Sequence, residues 1–591
     1  MAGAILSGIA VSTGIAIGPC LFLKQETQNL RHSLVPLDQV EQEVRRLEQA
    51  IDKAADSFEA ARLTLHPGQK LQWDLLTSQL MICRDSKLGG SAARSIREQR
   101  MNAEWALEEC VTRLADTFSR LSSPYIRERI DDVRLVANRI QARLANAASY
   151  PRPEKGGSII LAPDLTPADL AAFPGGHLTA FAVEQGGPTS HIGILARGLR
   201  TPALVGVLGL SEKAPQAREA IVDGLHGRLL LDPDPEEVAV YLALRERLTE
   251  YEKRVRADAA LPAETVDGER VDILANLESG GEITDMRSCG AEGAGLVRTE
   301  FSYIARTALP EEDDLYKEYM DMARSVYPHK IAFRTFDAGG DKIIGSRKGP
   351  LEKNPALGLR GIRFSLHHQD MFRSQLRAIL RAGVMGNAAL IFPLISGLEE
   401  LKLAKSLLNE AKQELGAEKI PYARDLPLGI MVELPSTVLI SDILAREVDF
   451  FSIGTNDLTQ YSLGVDRDNR QVEYLTRAIH PAIVRSIKLV VDNAHAAGIP
   501  VCVCGELAAD LYCLPLLIGM RVDEISLAPQ SIPTVKHLIR KMRASNCREM
   551  LREALSAPGG AMIDNMARQA LYSSFPEDSD FFACRPDADI A

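Results

Sequence analysis

From residue 263 onward, short apolar runs of β character alternate with longer stretches in which apolar residues recur at helical spacing. The runs are "VDILANLE", "GAGLVRTE", "KIAFRTFD", "ALIFPLIS", "LGIMVELP", "DFFSIGTND", "IPVCVCGEL" and "DEISLAP". Eight such runs separated mostly by helix-length segments predict a (β/α)8 barrel over 263–575, followed by a tail at 576–591. An open doubly wound sheet is the alternative. Upstream, "LDQVEQEVRRLEQAIDKAADSFEAARLTL" and "WALEECVTRLADTFSRL" place apolar residues at helical spacing among charges, so 36–146 is read as a helical insert, a hairpin bundle. Residues 1–35 and 147–236 flank it with β and mixed patterns, of which "GSIILAPDL", "LTAFAVEQ" and "REAIVDG" are predicted strands. The insert thus interrupts a small α/β domain. A charged helical stretch at 237–262 ends in Ala and Pro and separates the two halves. The chain is a multidomain α/β protein.

Composition narrows the class of function. The chain has 591 residues, 46% hydrophobic, 25% charged and only 5% aromatic, which is ordinary for a soluble globular protein and unlike a surface built to stack bases. A formal net charge of −11 leaves no basic footprint for nucleic acid or an anionic membrane. Nine scattered cysteines without CxxC spacing predict neither a zinc cage nor a disulfide framework and suit a reducing cytoplasm. The opening "AILSGIAVSTGIAIGPCLFL" lacks a basic start and is broken by Gly, Ser and Thr, so strands joined by glycine turns fit it better than a signal peptide. No run of about 18 apolar residues predicts a membrane-spanning helix.

A barrel of this type places its chemistry at the C-terminal ends of its strands. Those ends carry Arg298 with Glu300, Arg334 with Asp337, Glu433, Asn456 with Asp457, and Cys504 with Glu506, whereas the strand starts carry little comparable. One arginine alone is most often a surface ion pair, but charged groups gathered at successive strand ends are not so explained. Arg298, Arg334 and Arg467 offer planar forks for phosphate or carboxylate oxygens. Glu433 and Asp457 offer hard oxygen ligands to Mg²⁺, which takes one or two carboxylates with water and substrate phosphate. Lys342 and Arg360, in the loops that follow, extend the cationic rim. The ligand implied is small, acidic and phosphorylated. Cys504 ends the seventh run and faces the mouth, where a thiol can protonate a reacting carbon, whereas Cys502 reads as a buried small hydrophobe.

A second candidate centre lies far from the barrel in sequence. In "GGPTSHIGILAR", His191 follows Thr189 and Ser190 on a glycine-rich turn at a predicted helix start. Free backbone N–H groups there stabilise a phosphate, and an imidazole in that setting can carry a phosphoryl group.

"GGPTSHIGILARGLRTPALVG" resembles the phosphohistidine signature of the PEP-utilising enzymes, and "DFFSIGTNDLTQYSLGVDRDN" resembles their second signature. With "LVRTEF", "FRTFDAGGDK", "NPALGLRGIR", "GIMVELPS" and "CGELAAD", the chain is similar to the Enzyme I family of the bacterial phosphotransferase system, from its first strand to about residue 560. The resemblance implies a phosphohistidine α/β domain with an inserted carrier-binding helical bundle, a swivel at 237–262 and a TIM barrel that binds phosphoenolpyruvate and dimerises. It implies His191 as the phosphorylated nucleophile and Arg298, Arg334, Asn456, Asp457 and Arg467 as the phosphoenolpyruvate site. It further implies Glu433 and Asp457 as Mg²⁺ ligands, Cys504 as the proton donor that yields pyruvate, and a small histidine-containing carrier, HPr, as partner.

The chain departs from the family pattern in three places. Pro188 stands where the family usually has arginine, and Leu170 aligns where it commonly has threonine. In "SQLMICRDSKL", Arg84 and Lys87 replace acidic residues, and 36–146 holds 17 acidic and 17 basic residues. A carrier with a basic face gains little steering from a neutral insert, so a specialised paralogue with its own HPr-like partner is expected. The alternatives in function are a regulatory protein that senses phosphoenolpyruvate and pyruvate with little turnover, and a PEP synthase-like enzyme.

Overall fold

The computed structural model describes residues 4–23, 32–63, 70–119, 124–145, 157–165, 170, 178–187, 192–193, 196, 201–304, 309–338, 354–466, 469, 472–476 and 479–582. These fall into two compact units, Met1–Thr249 and Glu250–Ala591.

The first unit contains an eight-stranded sheet in the order β1-β8-β7-β3-β4-β5-β6-β2. In chain order its strands are β1 (Ala4–Ser7), β2 (Ile9–Ser12), β3 (Ile15–Phe22), β4 (Ser158–Ala162), β5 (Leu178–Val183), β6 (Ala203–Val205), β7 (Glu219–Asp223) and β8 (Arg228–Leu231). The strands β3, β4, β5 and β6 run parallel, and β7, β8, β1 and β2 add antiparallel pairings at the sides. Alternate residues of β4 serve opposite faces: Ile159 and Leu161 join one apolar cluster, Ile160 and Ala162 the other. That is why "SIILA" reads as an unbroken apolar run, as expected of a parallel strand covered on both sides.

Between the parallel neighbours β3 and β4 the described residues form five α-helices: α1 (Val40–Leu63), α2 (Lys70–Cys83), α3 (Ser86–Gln99), α4 (Ala103–Ser119) and α5 (Pro124–Leu144). Their core is built at helical spacing, with Val40, Val44, Leu47, Ala54 and Phe58 of α1 all buried. The expected helical insert is therefore a bundle inside one strand crossover. Helix α6 (Pro235–Ala259) follows the sheet. Within the second unit its last turns bury Tyr251, Val255 and Ala259, and Arg254 pairs with buried Asp578 at 2.8 Å.

The second unit is a closed parallel barrel. Its strands are β9 (Asp272–Leu277), β10 (Gly293–Arg298), β11 (Lys330–Arg334), β12 (Ala388–Phe392), β13 (Leu428–Val432), β14 (Phe450–Gly454), β15 (Val501–Cys504) and β16 (Glu524–Leu527), with β16 pairing back to β9. All eight apolar runs become strands, and the open-sheet alternative is excluded by that closure. Outward residues pack against the helical ring, while Leu296, Ala332, Ala389, Ile391, Met431, Phe450 and Cys504 form an interior cluster. Among the described residues no helix is long and apolar enough to cross a membrane.

Candidate active site at the barrel mouth

The strands deliver charge to the mouth because each ends where its polar residues begin. Arg298 closes β10 and sits opposite Arg334, which closes β11, in the parallel register. Arg298 meets Glu278, just past β9, at 3.1 Å and stays partly exposed. Arg334 is buried and held by two carboxylates, Glu300 at 2.8 Å and Asp337 at 2.9 Å. Burial opposes its charge, yet Glu300 and Asp337 outweigh that, so the guanidinium is held more firmly ionised than usual. Burial pushes the Glu300 carboxyl upward.

Arg360 proves more central than a rim residue. It reaches Asp337 at 3.2 Å and Asp457 at 3.0 Å, and touches the Tyr461 hydroxyl at 3.1 Å. It thereby ties the loop after β11 to the helix Thr455–Leu463 that follows β14. Tyr461 was not singled out in the sequence. Its signal was there, because it lies one helical turn beyond Asp457 and so shares that face.

Glu433, the first residue after β13, is completely buried. Its Oε1 accepts from the Leu394 backbone N–H at 2.6 Å, while Oε2 is buried with no hydrogen-bond partner. Gly454 makes the room, since a Cβ there would lie 2.5 Å from that same oxygen. Burial, then the neighbouring Asp457 and Asp337, push the Glu433 carboxyl up to about 8. The charge balance explains the rise. Among the described residues, Arg334 and Arg360 face the carboxylates of Glu300, Asp337, Glu433 and Asp457, which outnumber them. A divalent cation would offset that excess, and the orphaned Oε2 is an oxygen ready to bind one. Glu433 and Asp457 fit that task, although no group of three or more His, Cys, Asp or Glu suited to a metal occurs among the described residues.

Asn456 and Asp457 occupy the first turn of Thr455–Leu463, where free backbone N–H groups and the helix dipole favour an anion. The Asn456 Oδ1 accepts from the Glu506 backbone N–H at 2.8 Å, leaving its amide nitrogen as the donor for a ligand. Glu506 itself is exposed. Cys504 is buried in the interior cluster, its Sγ 3.4 Å from Ser452 Oγ and 3.3 Å from the Ile453 carbonyl. Burial raises its thiol above the ordinary value, so it keeps its proton. Cys502 lies two residues earlier, hence on the same strand face, but deeper, beside Glu524, whose carboxylate takes Lys330 at 2.9 Å. The two cysteines differ in depth rather than in direction.

His191, Pro188, Arg467 and Lys342 lie outside the described residues. Ile192, the neighbour of His191, is buried with Ala196 and Leu170 on one face of the sheet, so the Leu170 position is an apolar packing position.

Comparison with known proteins gives three matching family descriptions: PEP-utilising enzyme, N-terminal, over residues 7–129; the mobile domain over 154–227; and the PEP-binding domain over 252–544. The phosphoenolpyruvate-protein phosphotransferase of Geobacillus stearothermophilus is 38% identical over 558 residues, covering 93% of this chain and 95% of that protein. The protein of the same name from Haemophilus influenzae is 34% identical over 573 residues, covering 96% of this chain and 100% of that one. A solution structure of an Enzyme I protein is 28% identical and covers 42% of this chain and 99% of its own, with a TM-score of 0.36. Similarity of this extent, running through sheet, bundle and barrel alike, means that the chain belongs to the phosphoenolpyruvate-protein phosphotransferase family, Enzyme I.

Proposed function

We propose that the chain transfers the phosphoryl group of phosphoenolpyruvate, by way of His191, to a histidine of an HPr-like carrier protein and releases pyruvate, the first step of a sugar phosphotransferase system. Family membership along nearly the whole chain is the observation that carries this reading, and it favours phosphotransfer over a sensing role or ATP-dependent synthesis.

Arg298, Arg334 and Arg467 bind the anionic substrate, with Asn456 and the backbone at Asp457 at the helix start. Arg360, itself in contact with the Tyr461 hydroxyl, holds Asp337 and Asp457 in place around it. The His191 imidazole attacks phosphorus, the bond from phosphorus to the enol oxygen breaks, and the electron pair passes into the enolate. The Cys504 thiol then gives its proton to the terminal carbon, which completes pyruvate. Its raised affinity for a proton keeps the donor loaded at neutral pH. Glu433 and Asp457 would hold Mg²⁺, which would supply positive charge to offset that of the phosphorylated substrate.

Residues 36–146 dock the carrier, 1–35 and 147–236 carry the phosphohistidine, 237–262 act as the swivel, and 263–575 bind substrate and pair with a second copy of the chain. A swivel is required because one imidazole cannot meet a substrate in the barrel mouth and a protein partner in a single pose. The assembly works in the cytoplasm.

Mixing the chain with phosphoenolpyruvate and Mg²⁺ in the absence of any carrier should release about one pyruvate per chain and then stop, because a single phosphoryl acceptor is filled. No release, or continuous release, would contradict the reading.

The Glu433 shift gives a second expectation. A carboxyl raised from its usual range near 4.3 to about 8 stabilises the metal-free fold relative to its ionised form below the lower value, and that stability is lost as pH rises through the interval. Mg²⁺ must displace that proton, so its half-saturating concentration should fall as pH rises from 6 to 8, by at most about tenfold per unit. Mg²⁺ titrations of melting temperature at several pH values check this, and Glu433→Gln should abolish the dependence.

A further inference from the structure

The ladder between β10 and β11 ends at the pair Arg298 and Arg334, yet residues beyond it, Glu300 and Asp337, hold the Arg334 guanidinium. Beyond that pair side chains join the two strand ends: Glu300 Oε1 accepts from the Asp337 backbone N–H at 2.8 Å, and a second link runs through Thr299 and Gln375. We propose that Thr299 and Gln375 are positioning residues that set the placement of Arg334, and through it phosphoenolpyruvate affinity, without touching substrate themselves. The proposal rests on the phosphotransfer reading above.

Gln375 lies on the helix Gln369–Ala382, outside the barrel, and is fully buried. Its Oε1 accepts from the Phe336 backbone N–H at 3.0 Å. Its Nε2 donates to Thr299 Oγ1 at 2.8 Å and reaches the Tyr319 hydroxyl at 3.3 Å. Thr299, also buried, donates its hydroxyl proton to the Arg334 carbonyl at 2.8 Å. The Phe336 N–H can only donate and the Arg334 carbonyl can only accept, so the direction of every bond in this chain is settled. The amide cannot flip, and the hydroxyl has one use for its proton.

Each tied residue adjoins the site. Thr299 stands between Arg298 and Glu300, Phe336 precedes Asp337, and the Arg334 backbone is tied directly. One buried amide therefore sutures both strand ends that carry the Arg334 carboxylate clamp. Deep burial makes it stiff, because an amide or hydroxyl left unpaired there is costly.

Thr299→Val keeps the shape and removes the hydroxyl, whereas Thr299→Ser keeps the hydroxyl. Labelling of the full chain by labelled phosphoenolpyruvate with Mg²⁺, in single turnover, separates affinity from rate. Thr299→Val should raise the half-saturating phosphoenolpyruvate concentration about tenfold, with the rate at saturation falling by less than about threefold, and Thr299→Ser should stay within about twofold of wild type. Gln375→Leu should show the same split independently, and the double variant should be no worse than the poorer single one by more than about twofold. Variants that bind substrate like wild type while wild type is labelled would overturn the positioning role alone, as would an equal loss in the Val and Ser variants. A wild-type chain that takes no label would instead overturn the functional reading on which the proposal rests.

Discussion

Replacing Arg334 with alanine is expected to destabilise the barrel by about 3–5 kcal/mol and to remove phosphoenolpyruvate-dependent labelling, the larger of the two strongest effects foreseen. The guanidinium is buried between Glu300 and Asp337, and Arg360 also reaches Asp337. Deleting it leaves buried negative charge beside Glu433, a carboxyl already pushed upward by burial and by Asp457 and Asp337. Part of that cost is relieved at low pH, where Glu300 takes a proton more readily, because burial has raised it as well. The stability deficit should therefore shrink on acidification. Denaturant unfolding of the barrel transition at two pH values measures both effects, and Arg334→Lys should recover part of the stability, since one ammonium cannot fork to both carboxylates. A deficit below about 1 kcal/mol for the alanine variant would mean that the clamp is solvated, contrary to the geometry described.

The second large effect concerns a glycine. Gly505 follows Cys504 at φ +98°, and a Cβ there would lie 2.4 Å from Thr455 Oγ1, 3.0 Å from Asn456 Oδ1 and 3.2 Å from the Thr455 nitrogen. Alanine would thus push away the start of the helix that presents Asn456 and Asp457. At ψ −174° Gly505 lies in a region open essentially to glycine alone, so backbone strain adds about 1–3 kcal/mol. Displacement of the helix start by a fraction of an ångström to an ångström is enough to lower the labelling rate on the order of a hundredfold. Gly498 provides a comparison: it lies at φ +77° and ψ 23°, in the left-handed helical region, with nothing within 4 Å of the added Cβ, so Gly498→Ala meets milder strain and no clash. Rapid-quench labelling should separate the two variants by about two orders of magnitude in rate. Equal rates would show that the helix start tolerates movement.

Much of this site was readable from the sequence, for a physical reason. Parallel strands covered on both faces read as continuous apolar runs, and in a closed barrel polar residues at the ends of those runs converge on the mouth. Arg298, Arg334, Glu433, Asp457 and Cys504 could be gathered in this way. Arg360 was underweighted because it arrives from a loop, and no periodicity reports where a loop returns. Its two carboxylate partners, Asp337 and Asp457, are 23 and 97 residues away in sequence. Gln375 was invisible for another reason: on an amphipathic helix a glutamine reads as a solvent-facing residue, and only the packed helix shows it turned inward between two strand ends. The depth difference between Cys502 and Cys504 likewise depends on where a strand sits in the barrel, which alternation alone does not encode.

Charge also explains why the barrel and the bundle invite different expectations. At the mouth, among the described residues, Arg334 and Arg360 face the carboxylates of Glu300, Asp337, Glu433 and Asp457, an excess of negative charge that a divalent cation would offset. The bundle region 36–146 balances its charges to zero, and Met81 and Arg84 on its surface are exposed. Substrate binding in the barrel should therefore depend steeply on Mg²⁺, whereas carrier docking should depend weakly on ionic strength.

The central claim is that phosphoryl transfer from phosphoenolpyruvate stops first on His191. The measurement that tests it most directly is incubation of the full chain with labelled phosphoenolpyruvate and Mg²⁺, followed by acid and base treatment and by the same experiment on His191→Ala. The wild-type chain should carry acid-labile, base-stable label and the variant none. Label that persists in His191→Ala, or a folded wild-type chain that acquires none, would contradict it.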